Sequence, residues 1–166
     1  MGAKFPLPTA EEKVEGSEPH EMSLEQTQQL LASLPFMDDL PKAVAQRFAA
    51  ILIDSSERTT VVDGTELFTE GEHEPDLGYV LLSGEVRVEK SYASDSMTTA
   101  PALLGEIKQF NPTSERTATV RASGDLDVLQ FRWDELNAAV NAALKGPEQK
   151  LLRKALLDYA WKHVLN

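Results

Sequence analysis

Two residue pairs in the segment LLGEIKQFNPTSERTATVRA, residues 103–122, have the chemistry to hold a small anion. Arg116 leads an alternating Thr-Ala-Thr-Val-Arg-Ala run, so it stands at the mouth of a strand with Thr117 beside it. A planar guanidinium donates two parallel hydrogen bonds to two oxygens of one anion. Gly105-Glu106 faces it across a polar loop. Glycine lets backbone come close, and an ionised carboxylate is a pure acceptor suited to a hydroxyl. A short helix beginning at Glu106 would aim its free N–H groups at the same anion. Lys108 offers a second positive charge or points to solvent. A plain loop between two strands, with Glu106 and Arg116 as a structural ion pair, is the competing reading.

The rest of the chain narrows the chemistry. It has 166 residues, enough for one domain with helical extensions and a sizeable core. There is no cysteine, which excludes disulfides and thiolate catalysis. His20, His73 and His163 fall in the arm, a loop and the last helix, without metal-ligand spacing. No histidine sits beside a nucleophile, so the chain is not expected to be an enzyme, and no cofactor or metal is expected. Asp and Glu outnumber Lys and Arg 27 to 16, for a net charge of -11, which argues against nucleic acid as a partner. No apolar run is long enough to span a bilayer, and the N-terminus lacks signal-peptide form. Pro6 stands where a myristoylation signal wants Ser or Thr. No membrane partner and a cytoplasmic location are the expectations.

The elements that must position these residues follow from periodicity. Residues 1–22 read as a disordered arm, rich in Pro and Glu. Residues 23–53 read as a helix pair. Ser23 and Gln26 have capping-box spacing, Pro35 stops the first helix, and Pro41 starts the second. Residues 58–132 carry short strands broken by glycines. Gly84 reads as a tight turn between two strands, and Ser123-Gly124-Asp125 splits two more. Residues 92–99, YASDSMTT, read as a polar loop with no clear strand, and SDSMTTAPALLGE, which overlaps it, reads as a weaker strand. Residues 133–166 return to helical period, with Pro147 in the first turn of the last helix. The fold class is mainly β: an antiparallel, jelly-roll-like β-roll between an N-terminal and a C-terminal helix pair.

The ordered set Gly64, Gly71, Gly84, Gly105-Glu106, Arg116-Thr117-Ala118 resembles the cyclic-nucleotide-binding domain family. That family includes catabolite activator proteins, protein-kinase regulatory subunits and the cytoplasmic domains of nucleotide-gated channels. The resemblance covers roughly residues 30 to 165. It implies that Gly105, Glu106, Ile107, Lys108, Arg116 and Thr117 bind the ligand. Glu106 would take the ribose hydroxyl and Arg116 the cyclic phosphate, with N–H groups of Ile107, Lys108 and Thr117 completing the cradle. Thr after the arginine often goes with cGMP, which leaves cAMP and cGMP both open.

The last helix carries two apolar faces. Leu151, Leu152, Ala155, Leu156, Tyr159 and Ala160 form a broad one. Leu157, Trp161 and Val164 form another at i, i+4, i+7 spacing. By the resemblance, Leu157 and Trp161 serve as a lid over the base or as a contact with a dimer mate. Packing against the N-terminal helices is the alternative. No attached effector domain is expected, so the output would be a movement of the C-terminal helices, read by a partner protein or a homodimer. The other reading is a roll that no longer binds nucleotide and serves as a protein-interaction scaffold.

Overall fold

The computed structural model of the chain describes residues 22–72, 76–105 and 116–165, with backbone alone at residues 161 and 163–165. The expected arm, residues 1–22, lies outside them except for Met22.

Local sequence sets the first helices. In α1 (Leu24–Ala32) the Ser23 hydroxyl accepts the Gln26 N–H at 3.1 Å, and the Gln26 side chain accepts the Ser23 N–H at 2.9 Å. This satisfies two otherwise orphan donors. Pro35 opens a 3-10 turn, Pro35–Asp39, and Pro41 is the N-cap of α2 (Lys42–Ser55).

Six antiparallel strands follow: β1 (Glu57–Val61), β2 (Glu66–Phe68), β3 (Leu77–Lys90), β4 (Ala93–Thr99), β5 (Ala102–Leu104) and β6 (Thr119–Arg132). The two expected strand breaks are bends instead. Each of β3 and β6 is one continuous strand, and they pair from Leu77↔Arg132 to Glu89↔Thr119 with register shifts on both sides of Ser83. Gly84 (φ 98) and Gly124 (φ 89) turn the ladder without ending it. At Gly84 a Cβ would lie 2.8 Å from Leu126 Cδ2 and 2.9 Å from the Asp125 carbonyl, so bend and close approach both require glycine.

The bends fold one ladder into two layers. The first holds β1, residues 126–130 of β6, residues 77–81 of β3, and β5. The second holds β2, residues 119–123 of β6, residues 85–90 of β3, and β4. The expected polar loop after Tyr92 is in fact β4, which pairs with β3 while all but one of its residues stay exposed. A strand solvated on both faces carries no apolar alternation.

Alternation along the long strands builds two cores. Tyr79, Leu81, Val120, Val128 and Phe68 fill the interior of the roll. Val80, Leu82, Leu129, Phe131 and Leu103 face outward, under the helices. There they meet α1, α2, α3 (Trp133–Ala143) and α4 (Gly146–Leu165). The Asp76 carboxylate accepts the Asp134 N–H at 2.6 Å, supplying α3 with a cap from outside its own sequence.

On α4, Leu152, Ala155, Leu156, Tyr159 and Ala160 are buried as expected, but Leu151 is 43% exposed. Leu157, on the second face, is 37% exposed. The Trp161 side chain lies outside the described residues. The Tyr159 ring meets Phe36 of the 3-10 turn edge to face at 5.4 Å, so α4 packs on the N-terminal helical segment.

Candidate functional site

Arg116 is 7% exposed, one of two buried polar residues among those described. Its backbone is fixed independently of its side chain. The Gly71 N–H donates to the Arg116 carbonyl and the Arg116 N–H donates to the Glu72 carbonyl, both at 3.0 Å. These bonds bind the segment before β6 to the turn after β2. The guanidinium reaches across the roll. Its Nη2 donates to the Leu77 carbonyl at 3.1 Å and its Nη1 to the Gly105 carbonyl at 3.4 Å. Its Cζ lies 3.9 Å from the centroid of the Phe68 ring.

Gly105 completes this packing. It has φ 93, and a Cβ there would lie 2.9 Å from Phe68 Cζ, 3.0 Å from the Leu77 carbonyl and 3.4 Å from Arg116 Nη1. Any side chain would meet the aromatic ring and the guanidinium together. Of the sequence-predicted site residues, Gly105 and Arg116 are therefore brought into one cluster. Thr117 is exposed beside it, and Ala118 is buried. Glu106, Ile107 and Lys108 lie outside the described residues.

Phe68, Leu77 and the Gly71–Glu72 turn were missed by sequence reasoning. Gly71 stands in the ordered glycine set of the resemblance, but as a turn residue with no ligand role. Strict alternation would put Phe68 on the face of Glu66 and Glu70; the register shift between Glu66 and Phe68 turns it inward, and no local signal pairs it with Arg116.

The turn after β2 has its own anchor. The Glu70 N–H donates to the Thr119 hydroxyl at 2.9 Å. The Glu70 carboxylate accepts the Ser91 hydroxyl at 2.6 Å and the Ser91 N–H at 2.9 Å. These two bonds, the hydroxyl first, hold the Glu70 carboxyl below the usual carboxylate range. A lowered folded-state pKa stabilises the fold above about pH 4.3, and that contribution is lost as pH falls through the lowered value. The melting temperature of Glu70→Gln is therefore expected to lie below the native one at neutral pH, with the gap closing toward acid. A gap independent of pH in thermal scans would mean that the charge of Glu70 is irrelevant.

A second tie links the site to the helices. The Tyr159 hydroxyl donates to the Leu103 carbonyl at 3.1 Å and accepts the Leu103 N–H at 3.2 Å. Leu103 lies in β5, two residues before Gly105. The last helix is thus hydrogen-bonded to the strand that leads into the candidate site. Among the described residues no group of His, Asp and Glu side chains could hold a metal ion. No described helix is long and apolar enough to cross a membrane.

The topology is that of an antiparallel β-roll with a buried arginine packed against a positive-φ glycine. The chain belongs to the cyclic nucleotide-binding domain family, whose sequence pattern matches residues 58–142, about half of its length. Among curated proteins, the chain is 31% identical over 111 residues to the Pycsar effector protein RsmPycTIR of Rhodovulum sp. (strain MB263). That match covers 65% of this chain and 41% of the relative, so the chain spans about two fifths of that protein's length. Among solved structures, the sensor domain of the transcriptional regulator DNR from Pseudomonas aeruginosa superposes with TM-score 0.59 at 22% identity. The match covers 82% of this chain and 91% of that one. The regulatory domain of Toxoplasma gondii PKA, solved with cAMP, superposes with TM-score 0.60 at 21% identity, covering 81% of this chain and 50% of that one. At these identities the superpositions establish the fold.

Proposed function

We propose that this domain binds a purine cyclic nucleotide, cAMP or cGMP, and passes occupancy on through its C-terminal helices. The observation that carries the reading is Arg116, buried in an acidic chain, fixed at its backbone and packed against Gly105. Arg116 takes the cyclic phosphate. Glu106, adjacent to Gly105 in sequence, accepts the ribose 2′-hydroxyl, and backbone N–H groups at Ile107, Lys108 and Thr117 supply further donors. The Toxoplasma relative's cAMP supports the ligand class. The exposed Thr117 beside the arginine is compatible with either base.

Transmission rests on the Tyr159 hydroxyl. Ligand that moves the backbone around Gly105 also moves β5, and the paired bonds to Leu103 carry that displacement into α4. The reader is a partner protein or a second copy of the chain, and the exposed Leu157 offers it apolar surface.

Calorimetry of the purified chain with cAMP and cGMP tests the binding step. Binding to neither would leave the roll as a protein-interaction scaffold. The ribose contact has its own test. A hydrogen bond to a charged carboxylate contributes about 1.5–3 kcal/mol, so Glu106→Ala is expected to weaken ribonucleotide binding roughly tenfold or more. Against the 2′-deoxy nucleotide, which lacks the hydroxyl, the same mutation should cost little. Additive losses from mutation and deoxygenation would remove Glu106 from the ribose.

A further inference from the structure

We infer that Phe68 is a positioning residue for the anion site, its ring fixing the plane in which the Arg116 guanidinium meets the phosphate. This rests on the reading of Arg116 as the phosphate ligand.

Phe68 ends β2, opposite Val120 of β6, and is 4% exposed. Its face carries the guanidinium, with Cζ 3.9 Å from the ring centroid, well inside the range of a cation–π contact. The ring is itself immobilised. Tyr79 meets it edge-on at 5.5 Å and 67°, and Gly105 packs so closely that a Cβ there would be 2.9 Å from the ring Cζ. The carbonyls of Leu77 and Gly105 orient the two terminal nitrogens within the plane, while the ring sets its tilt.

Tilt matters for this ligand. Bidentate recognition requires the guanidinium plane to contain the two phosphate oxygens it serves. A guanidinium already held in that plane loses less freedom on binding. An aliphatic side chain of similar bulk would fill the space under Arg116. It would offer neither the flat surface nor the negative face of the ring.

Phe68 also packs the interior of the roll, so the test must separate positioning from packing. Two variants do so: Phe68→Leu, and the native chain with 3,5-difluorophenylalanine incorporated at residue 68. The difluoro ring leaves the para position, which faces Gly105, unsubstituted. It weakens the negative face while keeping the shape. Phe68→Leu is expected to bind cAMP or cGMP about tenfold more weakly. The difluoro chain should lose a smaller factor at an unchanged melting temperature. In the ligand-free native chain, the guanidinium protons of Arg116 should resonate upfield under the ring current and move downfield in Phe68→Leu. Should Phe68→Leu fail to fold, the difluoro chain decides alone. A native chain that binds while both variants match its affinity overturns the role of Phe68 and leaves Arg116 standing. A native chain that binds neither nucleotide overturns the phosphate reading, and the role of Phe68 with it, even where the upfield resonance persists.

Discussion

Arg116→Ala is expected to lower affinity for cAMP or cGMP by about a hundredfold or more while leaving the roll folded. The loss follows from charge-assisted hydrogen bonding. Each such bond contributes about 1.5–3 kcal/mol, and the bidentate pair is lost at once, leaving the phosphate without its counter-charge. The fold survives because Arg116 holds its place by backbone. Its bonds to Gly71 and Glu72 do not involve the side chain. The carbonyls of Leu77 and Gly105 lose one donor each, a modest cost if water enters the vacated space. Arg116→Lys should fall between the two, keeping charge but losing the planar fork and its contact with the Phe68 ring. The measurement is calorimetry beside a thermal scan. Native affinity in Arg116→Ala would remove the guanidinium from the ligand altogether. A large fall in melting temperature would make Arg116 a structural residue first.

What the sequence shows of this molecule depends on how local each cause is. The α1 cap is legible because Ser23 and Gln26 satisfy one another within one turn. The β-roll is legible because its residues alternate. Its strand count is not, because glycine at positive φ marks a hairpin turn and a bend inside a strand alike. Only the pairing of β3 with β6 through both bends tells them apart at Gly84 and Gly124, and pairing is tertiary. β4 escapes for the opposite reason: almost fully exposed, its residues carry no burial pattern to read. At the site, Gly105 and Arg116 announce themselves by type and order. Phe68 does not, since its meeting with the guanidinium depends on two layers of the roll closing over each other. Tyr159 reads as one more apolar position on a helical stripe. Its hydroxyl bonds to Leu103 cannot be foreseen from a periodicity that counts it as core.

Deleting residues 147–166 is expected to unfold the helical half of the domain, with or without nucleotide. The strands do supply a core of their own inside the roll, where Leu81, Val86, Leu126 and Val128 meet with no helical residue among them. That core favours survival of the roll without α4. The outer face of the first layer argues the other way. Val80, Leu103 and Phe131 lie in the same cluster as Leu152, Leu156 and Tyr159, and Tyr159 bonds Leu103 directly, so removing α4 opens that core. Burial of a leucine contributes about 1.5–3 kcal/mol. Leu152 and Leu156 alone thus account for roughly 3–6 kcal/mol of a total that is typically about 5–15 kcal/mol. Tyr159 adds its ring contact with Phe36 and two hydrogen bonds to β5. The second term is the larger, and the truncated chain should melt far below the native one or fail to fold, by circular dichroism and thermal scan. The signalling role of α4 is then better probed by Tyr159→Phe. That change keeps the ring in the core, cuts the tie to Leu103, and should leave nucleotide bound while hydrogen exchange in α4 no longer responds to it. A truncated chain that keeps the native melting temperature and loses only nucleotide affinity would make α4 a detachable lid instead of a wall of the core.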